Sequence, residues 1–476
     1  MQESTQEITD LILDVAARVR AETGRVSEPE FIGPVRWPVD CTVGPGLEGA
    51  IACESHVGYV DGSRGRLVYR GYDVLDLCAY STFEEVCYLL LNGELPTAQQ
   101  LRVFQGELVE FRQMPQTLRR MMGFPVEQMN PMEALRLGTT LMRHEFTYAT
   151  RSIAPPVGSA ISADEDSIAM ETMPRGERRA IYSFRSPRRK RKRAELGAPA
   201  GISSCHHLIA GAATLGAAVA RLRAGAMPIE PDPELGHAAN YLYMMTGRRP
   251  TPVEARIMDV ALILHADHGM NASTFAAMVV ASTLSDFYLS IGAGIAALNG
   301  PLHGGANEEV LHTLEEIGSV RNVRKWYERA RAEKRKINGF GHRVYRAYDP
   351  RARILGPLAD YLARENRDAQ KLLRIGGALE KAVVADLGGE RGIYPNVDFY
   401  SGIVYGCIGI PPELFTSTFA VSRVSGWSAR VLEYLQNNRI FRPRAIYVGD
   451  LEKKYPVHTR RSSRRRPLRK EPGANA

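Results

Sequence analysis

The chain has 476 residues, of which 44% are hydrophobic and 24% are charged, and these proportions are those of a folded globular protein. The formal net charge is +8, but six positive charges lie between Arg188 and Arg193 and seven more between Arg460 and Lys470. Without these thirteen charges the remainder carries −5, so the basicity belongs to two tracts and argues against a nucleic-acid-binding fold. The six cysteines are scattered without a Cys-x-x-Cys pair, which argues against a disulfide framework or a cysteine-bound zinc ion.

The ends of the chain lack recognisable targeting signals. Acidic residues at positions 3, 7, 10 and 14 are atypical of a mitochondrial presequence, and no apolar segment there resembles a secretory signal. No apolar run approaches the roughly 20 residues that span a bilayer. We therefore expect a cytoplasmic protein without a membrane partner.

The predicted elements begin with one small β-hairpin and continue as helices. Residues 51–60 and 66–69 are typical of strands, and the glycine-rich residues 61–65 between them are typical of a turn. Further along, helix starts marked by capping boxes are predicted near Ser81, Thr97 and Thr251. We therefore expect a mainly α protein with a small N-terminal β-hairpin.

Two segments depart from helical periodicity. Residues 152–204 contain two adjacent prolines, several serines and the first basic tract, and we interpret them as an irregular basic insertion. After it, an alanine-rich helix is predicted from Leu208 to Leu222. The tail beyond Lys453 contains the second basic tract and is predicted to be disordered.

The most informative segment of the chain is Gly339–Arg351, with the sequence GFGHRVYRAYDPR. Asp349 followed by Pro350 predicts a helix start, with the aspartate as N-cap and the proline at the first helical position. Arg351 then lies in the first helical turn, where free amide groups also favour anions. A histidine (His342) and an arginine that converge beside such a helix start suit a small acid whose carbonyl is polarised while its carboxylate is bound.

This segment resembles the signature of the citrate synthase family, and similarity extends from about Gly46 to about Asp450 with a break near residues 152–204. The other matching segments are Leu264–Asn271, Gly300–Glu308, Tyr394–Gly402, Arg423–Trp427 and Arg442–Arg444. The resemblance implies a mainly α, two-domain citrate synthase-like fold. Residues 1–303 would form the first part of a large helical domain, residues 304–411 a small domain, and residues 412–476 the rest of the large domain with the disordered basic tail.

The resemblance assigns the catalytic chemistry to three residues. Asp398 would take a proton from the methyl group of acetyl-CoA, His303 would hold the thioester oxygen and stabilise the enol or enolate, and His342 would donate to the carbonyl of oxaloacetate. A base and an oxygen donor are needed together because a thioester methyl is a very weak carbon acid. Condensation gives citryl-CoA, and hydrolysis by water then gives citrate and CoA. The implied enzyme is an acyltransferase of the tricarboxylic acid cycle.

Four further residues would bind oxaloacetate. His268, Arg351 and Arg423 match family positions in the same subunit, and Arg442 matches an arginine that reaches the site of the neighbouring subunit in a homodimer. A planar guanidinium pairs with a carboxylate through two parallel hydrogen bonds, which lysine cannot do.

Three basic residues would contact the phosphates of coenzyme A. Arg346 matches a family contact, and Lys336 and Arg335 lie close to it in the sequence. The resemblance implies that CoA acts as a co-substrate and that no tightly bound cofactor and no metal is used.

Three alternatives remain beside this reading. A 2-methylcitrate synthase would use propionyl-CoA with the same catalytic residues, and no residue in the sequence separates the two activities. An NAD-dependent oxidoreductase is suggested by Gly292–Ala297, which matches Gly-x-Gly-x-x-Ala, but residues 282–290 before it are typical of a helix rather than a strand. A nucleic-acid-binding protein is suggested by the two basic tracts, but they lack interleaved aromatic residues, so we expect no specific nucleic acid.

Overall fold

The computed structural model describes residues 2–23, 37–150, 201–364, 366–445 and 448. Within these residues it contains seventeen α-helices, which confirms the prediction of a mainly α fold. In chain order the helices are α1 (Gln2–Thr23), α2 (Val74–Tyr80), α3 (Phe83–Asn92), α4 (Ala98–Phe111), α5 (Pro115–Met121), α6 (Pro131–Thr150), α7 (Ile202–Arg223), α8 (His237–Thr246), α9 (Pro252–His265), α10 (Ala272–Ser282), α11 (Phe287–Leu298), α12 (Ala306–Ile317), α13 (Val323–Ala332), α14 (Pro350–Ala363), α15 (Arg367–Arg391), α16 (Val397–Cys407) and α17 (Phe415–Tyr434).

A three-stranded antiparallel sheet lies between α1 and α2 in the sequence. Its strands are β1 (Gly58–Asp61), β2 (Arg66–Tyr69) and β3 (Tyr72–Asp73), in that spatial order. The predicted hairpin is therefore confirmed, but its first strand is four residues long and begins later than expected. The two-residue third strand was not predicted.

Capping chemistry sets several of the helix starts. The predicted capping boxes at Thr97 and Thr251 are present, each with its hydroxyl and its partner side chain bonded reciprocally. The first box begins one residue later than predicted, at Thr82, and Glu85 rather than Glu84 returns to the cap. Glu84 is instead buried and accepts the first N–H of α8 at 2.7 Å. This tertiary contact determines which of the two glutamates completes the capping box.

Helix α7 is the centre of the hydrophobic core and is buried along most of its length. It packs against α4, α6, α8 and α17. By length and composition it could cross a membrane, but most of its apolar window is already buried inside the protein. The helix begins at Ile202, six residues before the predicted Leu208, because the end of the predicted insertion 152–204 is helical. Residues 152–200 of that insertion lie outside the described residues.

Helix α1 packs against α2, α9 and α14. Its buried side chains, at positions 8, 12, 15, 16 and 19, follow the spacing of one helical face. Tyr361 of α14 donates to Glu7 at 2.9 Å, and Arg353 of α14 pairs with Glu22 at 2.6 Å. The N-terminal helix is thereby tied to α14, the helix that begins at the signature segment.

The described residues up to Ile440 belong to one compact unit, and a second unit begins at Phe441. The predicted division into residues 1–303, 304–411 and 412–476 stays a prediction. The tail beyond Lys453, which was predicted to be disordered, lies outside the described residues.

Candidate active site

The two signature segments that carry a histidine and an aspartate lie side by side. Gly341 N donates to Tyr394 O, and Asn396 N donates to Gly339 O, both at 2.9 Å. The side-chain amide of Asn396 also donates to Gly341 O at 2.9 Å. Gly339 has a φ of +82°, and an added Cβ would lie 2.7 Å from Val310, so glycine is required where the segments meet. These bonds bring the candidates on the two segments to one place although they are more than fifty residues apart in sequence.

Asp349 connects the starts of two helices. As predicted, it caps α14, where Arg351 N donates to its Oδ1 at 3.0 Å after Pro350 at the first helical position. Its Oδ2 accepts Val397 N, at the start of α16, at 3.1 Å. The Arg351 side chain donates to the same carboxylate through Nε at 3.0 Å and Nη2 at 2.7 Å.

Arg351 is 2% exposed and is held by this ion pair rather than left free for a ligand. Burial opposes its charge, but the Asp349 carboxylate outweighs burial and raises the pKa of Arg351. Nε and Nη2 are used by the pair, which leaves Nη1 outside it. The sequence indicated a carboxylate-binding arginine but did not indicate this internal partner.

Asp398 lies in the first turn of α16, where Asn396 caps the helix and accepts Asp398 N at 3.0 Å. Burial raises the pKa of Asp398 to about 6, and the charges of Arg351, Arg423 and Lys336 only partly oppose that shift. With a pKa of about 6 the carboxyl is mostly ionised at pH 7. It is also a stronger base than an ordinary aspartate.

His342 is held as a neutral hydrogen-bond donor. The backbone N–H groups of Val344 and Tyr345 donate to its Nδ1 at 3.0 and 3.2 Å. Since a neutral imidazole carries one proton, these two bonds assign that proton to Nε2. Burial, followed by the charge of Arg351, lowers the pKa of His342 to about 4. At neutral pH the ring is therefore an uncharged donor through Nε2.

His303 is held in the opposite tautomer. Ser273, in the first turn of α10, donates its backbone N–H to His303 Nε2 at 3.3 Å, and its hydroxyl lies 2.8 Å from the same nitrogen. The proton of the neutral ring is thus assigned to Nδ1. Burial, followed by the charges of Arg423 and Arg343, lowers the pKa of His303 to about 4.

Arg423 is a buried arginine with an unused donor. It lies in the middle of α17 and is 3% exposed. Its Nε donates to His265 O and its guanidinium lies 4.6 Å from the ring centroid of Phe419, but Nη2 is buried without a partner in the described part of the chain. Burial lowers the pKa of Arg423 to about 10, so it remains charged at neutral pH. A buried, unpaired guanidinium nitrogen is costly unless an anion joins it.

His268 lies beside the same charges. It is 8% exposed, its Nε2 is 3.2 Å from the hydroxyl of Tyr345, and its ring centroid is 5.0 Å from that of His342. Burial, followed by the charge of Arg351, holds the pKa of His268 well below its usual range.

The candidates gather around the two buried arginines. Arg423 lowers the pKa of three of them, which are His268, His303 and Asp398. Arg351 lowers the pKa of an overlapping set, which is His268, His342 and Asp398. Six predicted residues from five parts of the chain, the two arginines included, therefore share one electrostatic environment.

Comparison with known proteins agrees with this arrangement. A family model described as "Citrate synthase, C-terminal domain" matches residues 46–444. The chain belongs to the citrate synthase family. A citrate synthase from Synechocystis sp. is 42% identical over 417 residues, which cover 87% of this chain and 93% of the relative. A citrate synthase from Deinococcus radiodurans is 39% identical over 413 residues, which cover 87% and 97%.

Solved structures give the same result. The crystal structure of citrate synthase from Pyrobaculum aerophilum is 39% identical and matches with a TM-score of 0.72 over 90% of this chain and 98% of that chain. The citrate synthase of Thermoplasma acidophilum, in a ternary complex with carboxymethyl coenzyme A and oxaloacetate, is 32% identical and matches with a TM-score of 0.72 over 88% and 99%. The chain is accordingly an enzyme that transfers an acetyl group to form citrate.

The remaining site residues predicted from the family resemblance lie at the protein surface. Arg346 and Lys336 are exposed, and Lys336 is near enough to Asp398 to lower the pKa of that carboxyl. Arg335 pairs with Glu316 through two bonds of 3.0 and 2.8 Å, so its charge already has a partner. Arg442 is exposed and belongs to the second compact unit. The roles predicted for all four stay predictions.

The dinucleotide-like motif has a packing role in this citrate synthase fold. Gly292 and Gly294 lie inside helix α11, which follows helix α10 rather than a strand. An added Cβ on Gly294 would lie 3.2 Å from Trp427 and 3.3 Å from Ser273 O. Gly294 therefore allows close helix packing, whereas an added Cβ on Gly292 would have nothing within 4 Å. The motif lies in a helix that follows a helix, which is not the strand-to-helix setting of a dinucleotide site.

Sequence reasoning missed the residues that orient the candidates. Ser273 fixes the ring of His303, and Asp349 was predicted only as a cap. Asp267, which directly precedes His268, is buried and accepts two bonds from Arg430 at 2.8 and 2.7 Å and one from Gly269 N at 3.1 Å. The only sequence signal for these residues is their place inside or next to the matching segments.

Proposed function

We propose that the chain condenses acetyl-CoA with oxaloacetate and water to give citrate and CoA, with Asp398, His303 and His342 as the catalytic residues. Asp398 takes a proton from the acetyl methyl group while His303 Nδ1–H stabilises the charge that forms on the thioester oxygen. The enol carbon then attacks the keto carbon of oxaloacetate, and the carbonyl electron pair moves to the oxygen, whose charge is stabilised by the hydrogen bond from His342 Nε2–H. The net proton on the product hydroxyl is the one that Asp398 took from the methyl group. Water hydrolyses the thioester of citryl-CoA, which releases citrate and CoA.

One observation carries this assignment: two neutral histidines, each with one nitrogen bonded to the protein, share the field of the buried arginines with a carboxylate of raised pKa. Among the described residues neither His303 Nδ1–H nor His342 Nε2–H has a hydrogen-bond partner, so each ring offers one donor. The reaction needs two hydrogen-bond donors to substrate oxygens and one base at the same time. A neutral imidazole donates a hydrogen bond without giving up its proton to Asp398, so Asp398 stays available as the base.

Oxaloacetate has two carboxylates, and the buried arginines supply the complementary charge. Arg423 Nη2 is buried without a partner in the described residues, and Arg351 retains Nη1 outside its ion pair. His268 lies against His342, and the charges of both arginines lower its pKa beyond the effect of burial. We propose that these three residues hold the dicarboxylate so that its keto group faces His342.

The experiment that tests the assignment replaces Asp398 with asparagine, which keeps the size and removes the base. We expect kcat to fall by about 10²–10⁴-fold while oxaloacetate still binds. The chain offers a matched control in Asp368→Asn, because Asp368 also lies in the first turn of a helix, two residues after an asparagine cap, and is exposed. Equal activity of the Asp398→Asn variant and the control would refute the assignment.

We propose acetyl-CoA rather than propionyl-CoA as the acyl donor, because the relatives described above are named citrate synthases. The alternative, a 2-methylcitrate synthase, differs by one methylene in the donor, which a pocket discriminates by about 1–3 kcal/mol. The ratio of kcat/KM for acetyl-CoA to that for propionyl-CoA decides between them. A ratio below one would reverse the choice.

We propose that the enzyme is a homodimer in which Arg442 completes the neighbouring site. Two exposed leucines, Leu284 (75%) in the turn between α10 and α11 and Leu289 (41%) in α11, support burial against a second copy. In a closed two-fold dimer the exchange of arginines is reciprocal.

Subunit mixing tests this proposal. Arg442→Ala and His342→Ala homodimers are each expected to be nearly inactive, but a mixed dimer has one site with both residues and one with neither. Random exchange of equal amounts is expected to restore about a quarter of the parental activity. If mixed dimers form and activity stays at the level of the single variants, Arg442 does not act across the interface.

We also propose a cytoplasmic location, supported by six free cysteines, of which Cys78, Cys87 and Cys205 are buried. Free thiols are typical of a reducing compartment. Cell fractionation with thiol titration of the purified protein tests this. Among the described residues no group of three or more histidine, cysteine or acidic side chains is arranged to hold a metal, and the absence of a metal requirement stays a prediction.

A further inference from the structure

Tyr345 contacts three of the residues that we assign to oxaloacetate. It is 1% exposed, and its hydroxyl lies 3.2 Å from His268 Nε2. Its backbone N–H donates to His342 Nδ1 at 3.2 Å, and the Arg351 guanidinium lies 5.9 Å from its ring centroid. Its ring centroid is 5.4 Å from that of His268 and 4.8 Å from that of His342. No other side chain described above touches both histidines.

We propose that Tyr345 is a positioning residue that fixes the ring of His268, through its hydroxyl, in the orientation that binds oxaloacetate. The two rings meet edge to face, with an interplanar angle of 74°, so the phenol blocks translation of the imidazole. The hydrogen bond to Nε2, together with a bond from the ring to the backbone of His268 itself, restrains rotation of the imidazole about its own axis, which a ring contact alone tolerates. The hydroxyl therefore helps to determine which nitrogen of His268 faces the substrate.

The backbone and the side chain of Tyr345 act on different histidines. Its N–H belongs to the pair of amides that assign the tautomer of His342, and any residue supplies that donor. Its hydroxyl acts on His268 alone. Replacing Tyr345 with phenylalanine thus removes one bond and leaves the His342 contact, the buried ring and the Arg351 contact in place.

The inference rests on the proposed oxaloacetate site, and a double-mutant cycle tests both separately. Tyr345→Phe is expected to raise the Kd of oxaloacetate by about three- to tenfold, which is the range for one hydrogen bond between buried neutral groups. The KM for acetyl-CoA and the Tm are expected to stay near the parental values. In a His268→Ala background the same change is expected to have no further effect, because the ring that the hydroxyl positions is gone.

A second buried tyrosine–histidine pair provides the control. The hydroxyl of Tyr288 lies 2.8 Å from His207 Nδ1, and the two ring centroids are 5.8 Å apart at an interplanar angle of 69°. Tyr288→Phe removes the same kind of bond from the core, together with a bond to Ser204. It is expected to leave the Kd of oxaloacetate unchanged, so an effect seen only in Tyr345→Phe is specific to the site.

Each outcome decides a different statement. Parental oxaloacetate binding by Tyr345→Phe overturns the inference. An effect of equal size in the His268→Ala background also overturns it, because the hydroxyl then contacts the substrate directly. Parental oxaloacetate binding by His268→Ala alone contradicts the proposed role of His268 in the site.

Discussion

Replacing Gly62 with alanine is expected to disturb the orientation of His342, because Gly62 contacts the loop that carries this histidine. Gly62 lies in the turn between β1 and β2, and its carbonyl accepts Arg346 N at 2.9 Å. A Cβ added to Gly62 would lie 2.1 Å from Val344 O. Val344 supplies one of the two N–H groups that hold His342 Nδ1. The turn between β1 and β2 therefore supports the backbone that orients His342, the proposed donor to the keto group of oxaloacetate.

The size of the effect follows from the distance. To lengthen a contact of 2.1 Å to at least 3.0 Å, the loop or the turn must move by about 1 Å. A displacement of about 1 Å at a catalytic group can cost about 10²-fold in rate. We therefore expect Gly62→Ala to lower kcat by about 10²-fold. The Kd of oxaloacetate is expected to change much less, because the carboxylates are assigned to Arg351 and Arg423.

Two measurements separate this effect from a loss of stability. Release of CoA at saturating substrates gives kcat, and the ¹³C shift of the keto carbon of bound oxaloacetate reports how strongly His342 polarises it. Gly71→Ala is the matched control, because Gly71 lies at the other end of the hairpin with a φ of +91° and nothing within 4 Å of an added Cβ. Its strain costs about 1 kcal/mol of stability. A parental carbonyl shift in Gly62→Ala would refute the coupling.

Three further measurements test the electrostatic description. The acid limb of kcat/KM is expected to follow Asp398: since its pKa is raised to about 6, protonation below that pH removes the base and the rate falls about tenfold per pH unit. A limb centred near pH 4 would contradict this. Arg430→Met is expected to lower the free energy of unfolding by about 3–5 kcal/mol in denaturant titrations, because Asp267 keeps a buried charge without its partner. A loss below about 1 kcal/mol is the size expected for a surface ion pair and would contradict a buried one. Arg335→Ala is expected to leave the KM for acetyl-CoA within about twofold because its charge is already paired, whereas Lys336→Ala is expected to raise it severalfold.

Features that depend on a few neighbouring residues could be predicted from the sequence. The helix starts at Thr97 and Thr251 and the Asp349 cap require only side chains within one turn, and all three are present. The capping box near Ser81 was placed one residue too early because two hydroxyl residues and two glutamates stand in succession there. A distant contact, the bond from α8 to Glu84, selects the register.

Features that depend on distant contacts could not be predicted. The sequence indicates that Arg351 can bind a carboxylate, but not that Asp349, two residues earlier, already occupies two of its nitrogens. It gives no reason to single out Ser273, which lies thirty residues before His303 and determines its tautomer. Tyr345 lies inside the most informative segment, yet its hydroxyl has a role only once His268 is known to lie against it.

The charges of the site explain why a dicarboxylate suits it. Arg351 is neutralised by Asp349, whereas Arg423 is buried with a donor unused, so the site carries uncompensated positive charge. That charge, added to burial, keeps the neighbouring histidines neutral, and it also lowers the basicity of Asp398. A bound dianion would offset the positive field, which would raise the pKa of the carboxyl and make it a stronger base for the acetyl methyl. The arginines that hold the first substrate would thereby also tune the base that acts on the second.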